Sequence, residues 1–176
     1  LLVNPHIKGI SFVGSTAVGM HIYKTAAAAG KRVQALTEAK NHALVMEDCV
    51  LERSVKGIIN STYGCAGQRC LAVSVAVTIG EAQKTFRDSI ADAASTLKLG
   101  NGLEDGVQMG PVITPQSKER IEALIGVGEK QGAKVLLDGR GARIPKCESG
   151  NFVKPTILDD VPATSEITDT ESCGPV

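Results

Sequence analysis

The sequence predicts an α/β fold, and three of its features carry the expectation. Short apolar, β-branched runs alternate with longer segments of helical period. Glycine or proline marks most junctions between them. The first strand, the first helix and the next strand follow one another within about thirty residues, the span of a parallel βαβ unit whose helix covers one sheet face.

Residues 7–13, Ile-Lys-Gly-Ile-Ser-Phe-Val, read as a short buried strand followed by a Gly-Ser-Thr turn. Residues 16–29 read as a helix in which Val18, Ile22, Thr25 and Ala29 share one face, stopped by Gly30. Extended segments are expected at 33–37 and 43–46. From 52 to about 64 the spacing is helical, with Val55, Ile58 and Ile59 inward and Lys56 outward. Residues 71–79 form the clearest strand, closed by Gly80. An amphipathic helix over 81–97 ends in Gly-Asn-Gly at 100–102. Gly110-Pro111-Val112-Ile113 is a rigid connection, after which Thr114 caps a helix over 115–131 with Pro115 in its first turn. Residues 134–137 read as a strand, 138–150 as a polar loop, 152–158 as extended chain, and the tail beyond Pro162 as irregular.

The 176 residues are 43% hydrophobic and 22% charged, values of a globular chain with room for one domain or parts of two. Nineteen basic and nineteen acidic side chains cancel, which removes the electrostatic argument for a nucleic acid or an acidic membrane surface as partner. Aromatics are 3% and Trp is absent, so the core is expected to be aliphatic and base-stacking platforms are not expected. No uninterrupted apolar run reaches the roughly eighteen residues of a membrane span. Five cysteines, at 49, 65, 70, 147 and 173, form no CxxC pair and suit free thiols in a reducing compartment. His6, His21 and His42 lack metal-ligand spacing, so no metal is expected. The chain opens without Met and stops at Cys-Gly-Pro-Val; both ends read as cuts through a longer polypeptide.

Two segments carry candidate chemistry. Gly14-Ser15-Thr16-Ala17-Val18-Gly19 stands between a strand and a helix, where small residues admit a ligand and the helix N-terminus offers N–H groups to a phosphate. It is neither a P-loop nor a GxGxxG motif, and a tight turn before a capped helix is the simpler reading of the pattern alone. Gly64-Cys65-Ala66-Gly67-Gln68-Arg69-Cys70 crowds small residues around two thiols. Cys70 is the preferred nucleophile because Arg69 adjoins it and it ends the small-residue loop, although a buried structural thiol is the commoner fate of a cysteine. Glu171, near a Gly-Pro turn, would by itself read as solvated surface.

Six segments stand in order: Phe12-Val13-Gly14-Ser15, Lys40-Asn41-His42, Gly67-Gln68-Arg69-Cys70, Gly110-Pro111-Val112-Ile113, Gly150-Asn151-Phe152-Val153 with Pro155-Thr156-Ile157, and Glu171 before Gly174-Pro175-Val176. Their order and spacing resemble the aldehyde dehydrogenase superfamily over essentially the whole chain. Ala39-Lys40-Asn41-His42 and Gly-Gln-Arg-Cys resemble its coenzyme A-acylating branch, which acts on methylmalonate- and malonate-type semialdehydes.

The resemblance implies the end of a Rossmann-type cofactor domain over residues 1–38 and the opening of an α/β catalytic domain over 39–176. It implies Cys70 as the nucleophile, with its own backbone N–H as one oxyanion donor, and Arg69 as the cation for the substrate carboxylate. Gly14 and Ser15 match the cofactor-contacting helix start, and Glu171 matches the acid that holds the nicotinamide ribose. NAD is the implied cofactor and coenzyme A the co-substrate, with propionyl- or acetyl-coenzyme A formed after loss of carbon dioxide. A homo-tetramer or homodimer is implied for the full-length parent, in the cytoplasm of a bacterium or the mitochondrial matrix of a eukaryote.

Hydrolytic relatives carry a glutamate two residues before a Gly-Gly-Lys segment. Counting back from Lys40, Leu36 stands there and cannot abstract a proton. A thiol needs less activation than water, because a free thiol has a pKa of about 8.5, so Leu36 argues for acyl transfer over hydrolysis. Glu38 replaces a usual Gly, Ser172-Cys173 replace Ile-Phe, and Cys65 stands where Ala or Ser is expected. The competing readings are a hydrolytic aldehyde dehydrogenase of another branch and a non-catalytic truncated copy. Because the family's full chain is nearly three times as long, the 176 residues alone are expected to be inactive and to expose apolar surface.

Overall fold

The computed structural model describes residues 1–176, which divide into two units, Leu1–Ala39 and Lys40–Val176. In the first, β1 (Gly9–Val13) and β2 (Arg32–Leu36) pair in parallel and α1 (Thr16–Ala28) makes the crossover. Alternation along β1 turns Ile10 and Phe12 inward while Ser11 and Val13 are exposed. Gly30, at φ +70°, ends the helix where the sequence places the stop. The inward face of α1 differs from expectation: Gly19 and Ala26 are its buried residues, whereas Val18 is 48% exposed. A β-carbon at Gly19 would collide with Thr37 Cγ2, so the helix meets the sheet along its smallest side chains. Val13, Met20, Tyr23 and Leu36 are exposed as well.

The second unit opens with β3 (Asn41–Val45), α2 (Leu51–Tyr63) and β4 (Val73–Thr78), again a parallel pair joined through a crossover helix. The pairing slips between Asn41, opposite Val73, and His42, opposite Val75, which leaves Ser74 as an extra residue in β4. On α3 (Ala82–Ser95), Ala82, Phe86, Ile90 and Ala94 are buried at successive i+4 steps. Thr114 caps α4 (Pro115–Lys130), its hydroxyl accepting the Ser117 N–H at 3.0 Å as the sequence predicts. β5 (Lys134–Leu137) and β6 (Ile157–Asp159) pair antiparallel, and α5 (Glu166–Asp169) is a single turn. The core gathers Val55, Ile59, Phe86, Ile121, Ile125 and Val153. It is largely aliphatic, with the Tyr63 hydroxyl donating to the Thr156 carbonyl at 3.1 Å.

Within the stretch 152–158 read as extended, Lys154 N–H donates to Gly139 and Thr156 N–H to Pro175, and Ile157–Asp159 pairs with β5. Two expectations are corrected here. The tail is not wholly irregular, since the Ser165 and Glu166 carbonyls accept from Thr168 and Thr170 to close α5. β4 is shorter than 71–79: Leu71 is exposed and the Ala72 N–H turns back to the Arg69 carbonyl. A groove of about 430 Å³ runs along β4 from Val73 to Thr78 and is also lined by Leu136, Leu158 and Lys40. No helix is long and apolar enough to cross a membrane, and no three His, Cys, Asp or Glu side chains are grouped to hold a metal ion.

Candidate active site

In the first unit, Gly14 follows β1 and its N–H donates to the Leu36 carbonyl at 3.1 Å, tying the turn to the end of β2. The Phe12 ring lies over this glycine; a β-carbon would come within 2.6 Å of Cζ. Ser15 is the N-cap of α1, yet its hydroxyl makes no capping bond and the residue is exposed. Thr16 N–H reaches the Glu38 carboxylate only at 3.4 Å. An exposed helix start with an uncommitted hydroxyl fits the anionic part of a dinucleotide, with Glu38 as a competing anion.

In the second unit, α2 ends at Tyr63 and the chain turns through Gly64–Gly67. Cys65 and Ala66 lie in the left-handed region, at φ 55° and 54°, and Gly67 follows at +70°. Side-chain-bearing residues keep such conformations only where the surroundings over-determine them. Gly67 lies against the Gly174 carbonyl, which a β-carbon would strike. Gln68 Oε1 accepts the Ile113 N–H at 2.9 Å, while Nε2 donates to the Cys65 carbonyl at 3.1 Å. Asn41 Nδ2 donates to the carbonyls of Cys70, at 2.8 Å, and Ala72, at 3.0 Å. The Cys70 side chain is left exposed at the end of this fixed loop, and Cys65 is exposed as well. The Arg69 guanidinium folds back over Gly64, where a β-carbon would lie 2.6 Å from Nη1. Loop fixation, more than the neighbouring cation, therefore distinguishes the Cys70 position.

Glu171 is half-buried and its segment is held through the backbone. Arg120 donates from Nη1 to the Glu171 carbonyl at 3.2 Å and from Nη2 to the Ser172 carbonyl at 2.7 Å. Lys40 Nζ donates to the Thr170 carbonyl at 3.0 Å. Burial pushes the Lys40 ammonium down to about 8, against the opposing pull of the Glu171 and Asp169 carboxylates. Cys173, at φ 44°, has its thiol pKa raised by burial first and by Glu171 next, with Arg120 opposing. Cys70 adds to that rise, so the two thiols share one electrostatic neighbourhood.

The second unit thus brings Cys70, Cys173 and the Glu171 segment together, while Gly14 and Ser15 belong to the first unit. Arg120 is a residue that sequence reasoning missed, and Lys40, Asn41 and Gln68 entered it only as letters of motifs. Their bonds reach 52, 130, 29 and 45 positions along the chain, respectively, beyond any local periodicity.

The aldehyde dehydrogenase family profile matches residues 1–176. Malonate-semialdehyde dehydrogenase 2 of Geobacillus kaustophilus (strain HTA426) is 48% identical over 176 residues, which is 100% of this chain and 36% of that protein. The mitochondrial acylating methylmalonate-semialdehyde/malonate-semialdehyde dehydrogenase of Mus musculus is 44% identical over 173 residues, 98% of this chain and 32% of that protein. A Sinorhizobium meliloti 1021 protein, assigned as a methylmalonate-semialdehyde dehydrogenase and solved with NAD, matches with a TM-score of 0.95 at 40% identity. That match covers 99% of this chain and 36% of the other. The chain therefore spans about a third of the length of these relatives. With the profile matched from the first residue to the last and the fold shared with solved members, the chain belongs to the aldehyde dehydrogenase family.

Proposed function

We propose that this chain is part of an NAD-dependent, coenzyme A-acylating dehydrogenase of methylmalonate- or malonate-type semialdehydes, with Cys70 as its nucleophile. The observation that carries the proposal is the exposed Cys70 thiol on a loop whose backbone is fixed by Gln68, Asn41 and the Gly67–Gly174 contact. The printed names of the relatives, malonate-semialdehyde and acylating methylmalonate-semialdehyde dehydrogenases, support the substrate class.

The Cys70 thiolate adds to the aldehyde carbon, and the oxygen anion of the resulting thiohemiacetal is received by the Cys70 backbone N–H. NAD, when bound, supplies the acceptor for the hydride released as the carbonyl re-forms. A thioester then remains on Cys70. Arg69 pairs with the substrate carboxylate before that group leaves as carbon dioxide and a proton takes its place. Gly14 and Ser15 receive the dinucleotide at the start of α1, and Glu171 accepts hydrogen bonds from the nicotinamide ribose. Residues 1–38 are then the end of the cofactor domain and 39–176 the opening of the catalytic domain.

Leu36, 50% exposed at the end of β2, offers no base to activate water. Exchange with the thiol of coenzyme A needs no such base, because part of that thiol is already ionised near neutral pH. The acyl unit therefore leaves as acetyl- or propionyl-coenzyme A.

Product analysis on the full-length enzyme tests this reading. Malonate semialdehyde and NAD are expected to give NADH and acetyl-coenzyme A only when coenzyme A is present, and Cys70→Ser is expected to abolish both. Free acid formed at full rate without coenzyme A would assign the enzyme to a hydrolytic branch. Failure to bind NAD or turn over any aldehyde would mark a non-catalytic copy.

A further inference from the structure

Lys40 and Asn41 take no part in the chemistry assigned above, yet between them they touch both segments that carry it. Asn41 is the first residue of β3, and its carboxamide nitrogen spans two carbonyls, those of Cys70 and Ala72. Both nitrogen protons are used, which an aspartate could not match, since its oxygens would face two further acceptors. The register slip of β3 against β4 falls at this same residue. Lys40, one residue earlier, sends its ammonium to the Thr170 carbonyl beside Glu171, with Asp169 and Glu171 as the carboxylates facing it. The His42 ring nitrogen lies 2.8 Å from the Lys40 carbonyl and steadies the same stretch of main chain. Successive residues of an extended chain point to opposite sides, so one strand end can grip two segments that are far apart in sequence.

We infer that Asn41 and Lys40 are positioning residues: Asn41 fixes the main chain that presents the Cys70 sulfur, and Lys40 fixes the Glu171 segment to the same strand end. This rests on the reading of Cys70 as nucleophile and Glu171 as the cofactor-ribose acid. One peptide link then joins the two segments, beside the Gly67–Gly174 contact and the Arg120 bonds to the Glu171 and Ser172 carbonyls.

The experiment compares wild type, Asn41→Asp, Lys40→Met and Lys40→Arg in the full-length enzyme, by steady-state kinetics and amide hydrogen exchange. Asn41→Asp is expected to lower kcat by about 30- to 100-fold, the penalty of a small misplacement of a reacting group, with the KM for NAD nearly unmoved. Exchange should quicken at residues 70–72 and stay unchanged at 169–173. Lys40→Met is expected to raise the KM for NAD about tenfold, the scale of one lost charge-assisted hydrogen bond, with kcat nearly kept and exchange quickened only at 169–173. Lys40→Arg should restore most of that loss.

In wild type the KM for NAD should also climb above pH 8, as the Lys40 ammonium loses its proton, and in Lys40→Arg it should stay flat. Uniformly faster exchange throughout β3 and β4 in both variants, or kinetics unchanged in both, would overturn the inference. If wild type turns over no semialdehyde, the proposed function fails, while the exchange pattern still decides whether the two tethers exist.

Discussion

The turn at Gly14-Ser15 and the loop at Gly64–Gly67 leading to Cys70 are both glycine-rich junctions next to a helix, yet they are held very differently. The first makes two backbone bonds, Gly14 N–H to the Leu36 carbonyl and Gly19 N–H to the Ser15 carbonyl, and leaves the Ser15 hydroxyl uncommitted. The second is fixed by Gln68, Asn41 and the Gly174 carbonyl, and holds two non-glycine residues at positive φ. A helix start that receives a ligand needs free donors, because the ligand itself completes the hydrogen bonding. A thiol that attacks needs its geometry settled beforehand, since each misplacement is taken from the transition state. The two regions differ in the way the two proposed tasks differ.

The largest effect expected from disturbing this contrast is at Gly67. Gly67→Ala forces a β-carbon onto the Gly174 carbonyl at φ +70°, and should cost about 3 kcal/mol or more of unfolding free energy in urea titration. Gly14→Ala, whose obstacle is the movable Phe12 ring, should cost only about 1 kcal/mol by the same titration. Gln68→Ala removes two hydrogen bonds, one of them to an exposed segment, and should also cost about 1 kcal/mol while changing the alkylation rate of Cys70. Ser15→Ala should move stability by less than about 0.5 kcal/mol, because no capping bond is lost, and should show itself instead as weaker NAD binding in calorimetry.

A pH titration of stability sharpens the contrast at Lys40, the residue that holds the Glu171 segment. Its ammonium titrates at about 8 in the folded chain and at 10.5 in the ordinary state, so between those values the unfolded chain binds the extra proton. Unfolding free energy should rise with pH through that window and show no Lys40 contribution to its slope below it. Lys40→Met should flatten the rise.

Most of the α/β order is legible in the sequence, because β1, α1, α3 and α4 each carry a clear period or a cap. Thr114 before Pro115 is the plainest case: the acceptor hydroxyl and the missing N–H are both local facts. Legibility ends where a long-range partner decides. Val18 reads as core by spacing, but Gly19 wins the close approach because Thr37 stands opposite. Residues 152–158 read only as extended, and nothing local shows that Gly139 and Pro175 take the N–H groups of Lys154 and Thr156. Of the candidate site, the sequence singles out Cys70 as the residue that ends the small-residue loop, while its exposure is a finding of the structure. The left-handed turn at Cys65 and Ala66 is not legible, since neither residue signals positive φ, and the ties from Arg120 and Asn41 depend on folding that no spacing encodes.

Three of the five thiols, Cys65, Cys70 and Cys173, are exposed, so the most direct test is to find which one holds the acyl group. The full-length enzyme is mixed with semialdehyde and NAD, with coenzyme A withheld, then quenched in acid and digested for peptide mass analysis. A thioester on the peptide carrying Cys70, discharged when coenzyme A is added before the quench, is the predicted result. An adduct confined to Cys65 or Cys173, or none at all while NADH is being formed, would contradict the account.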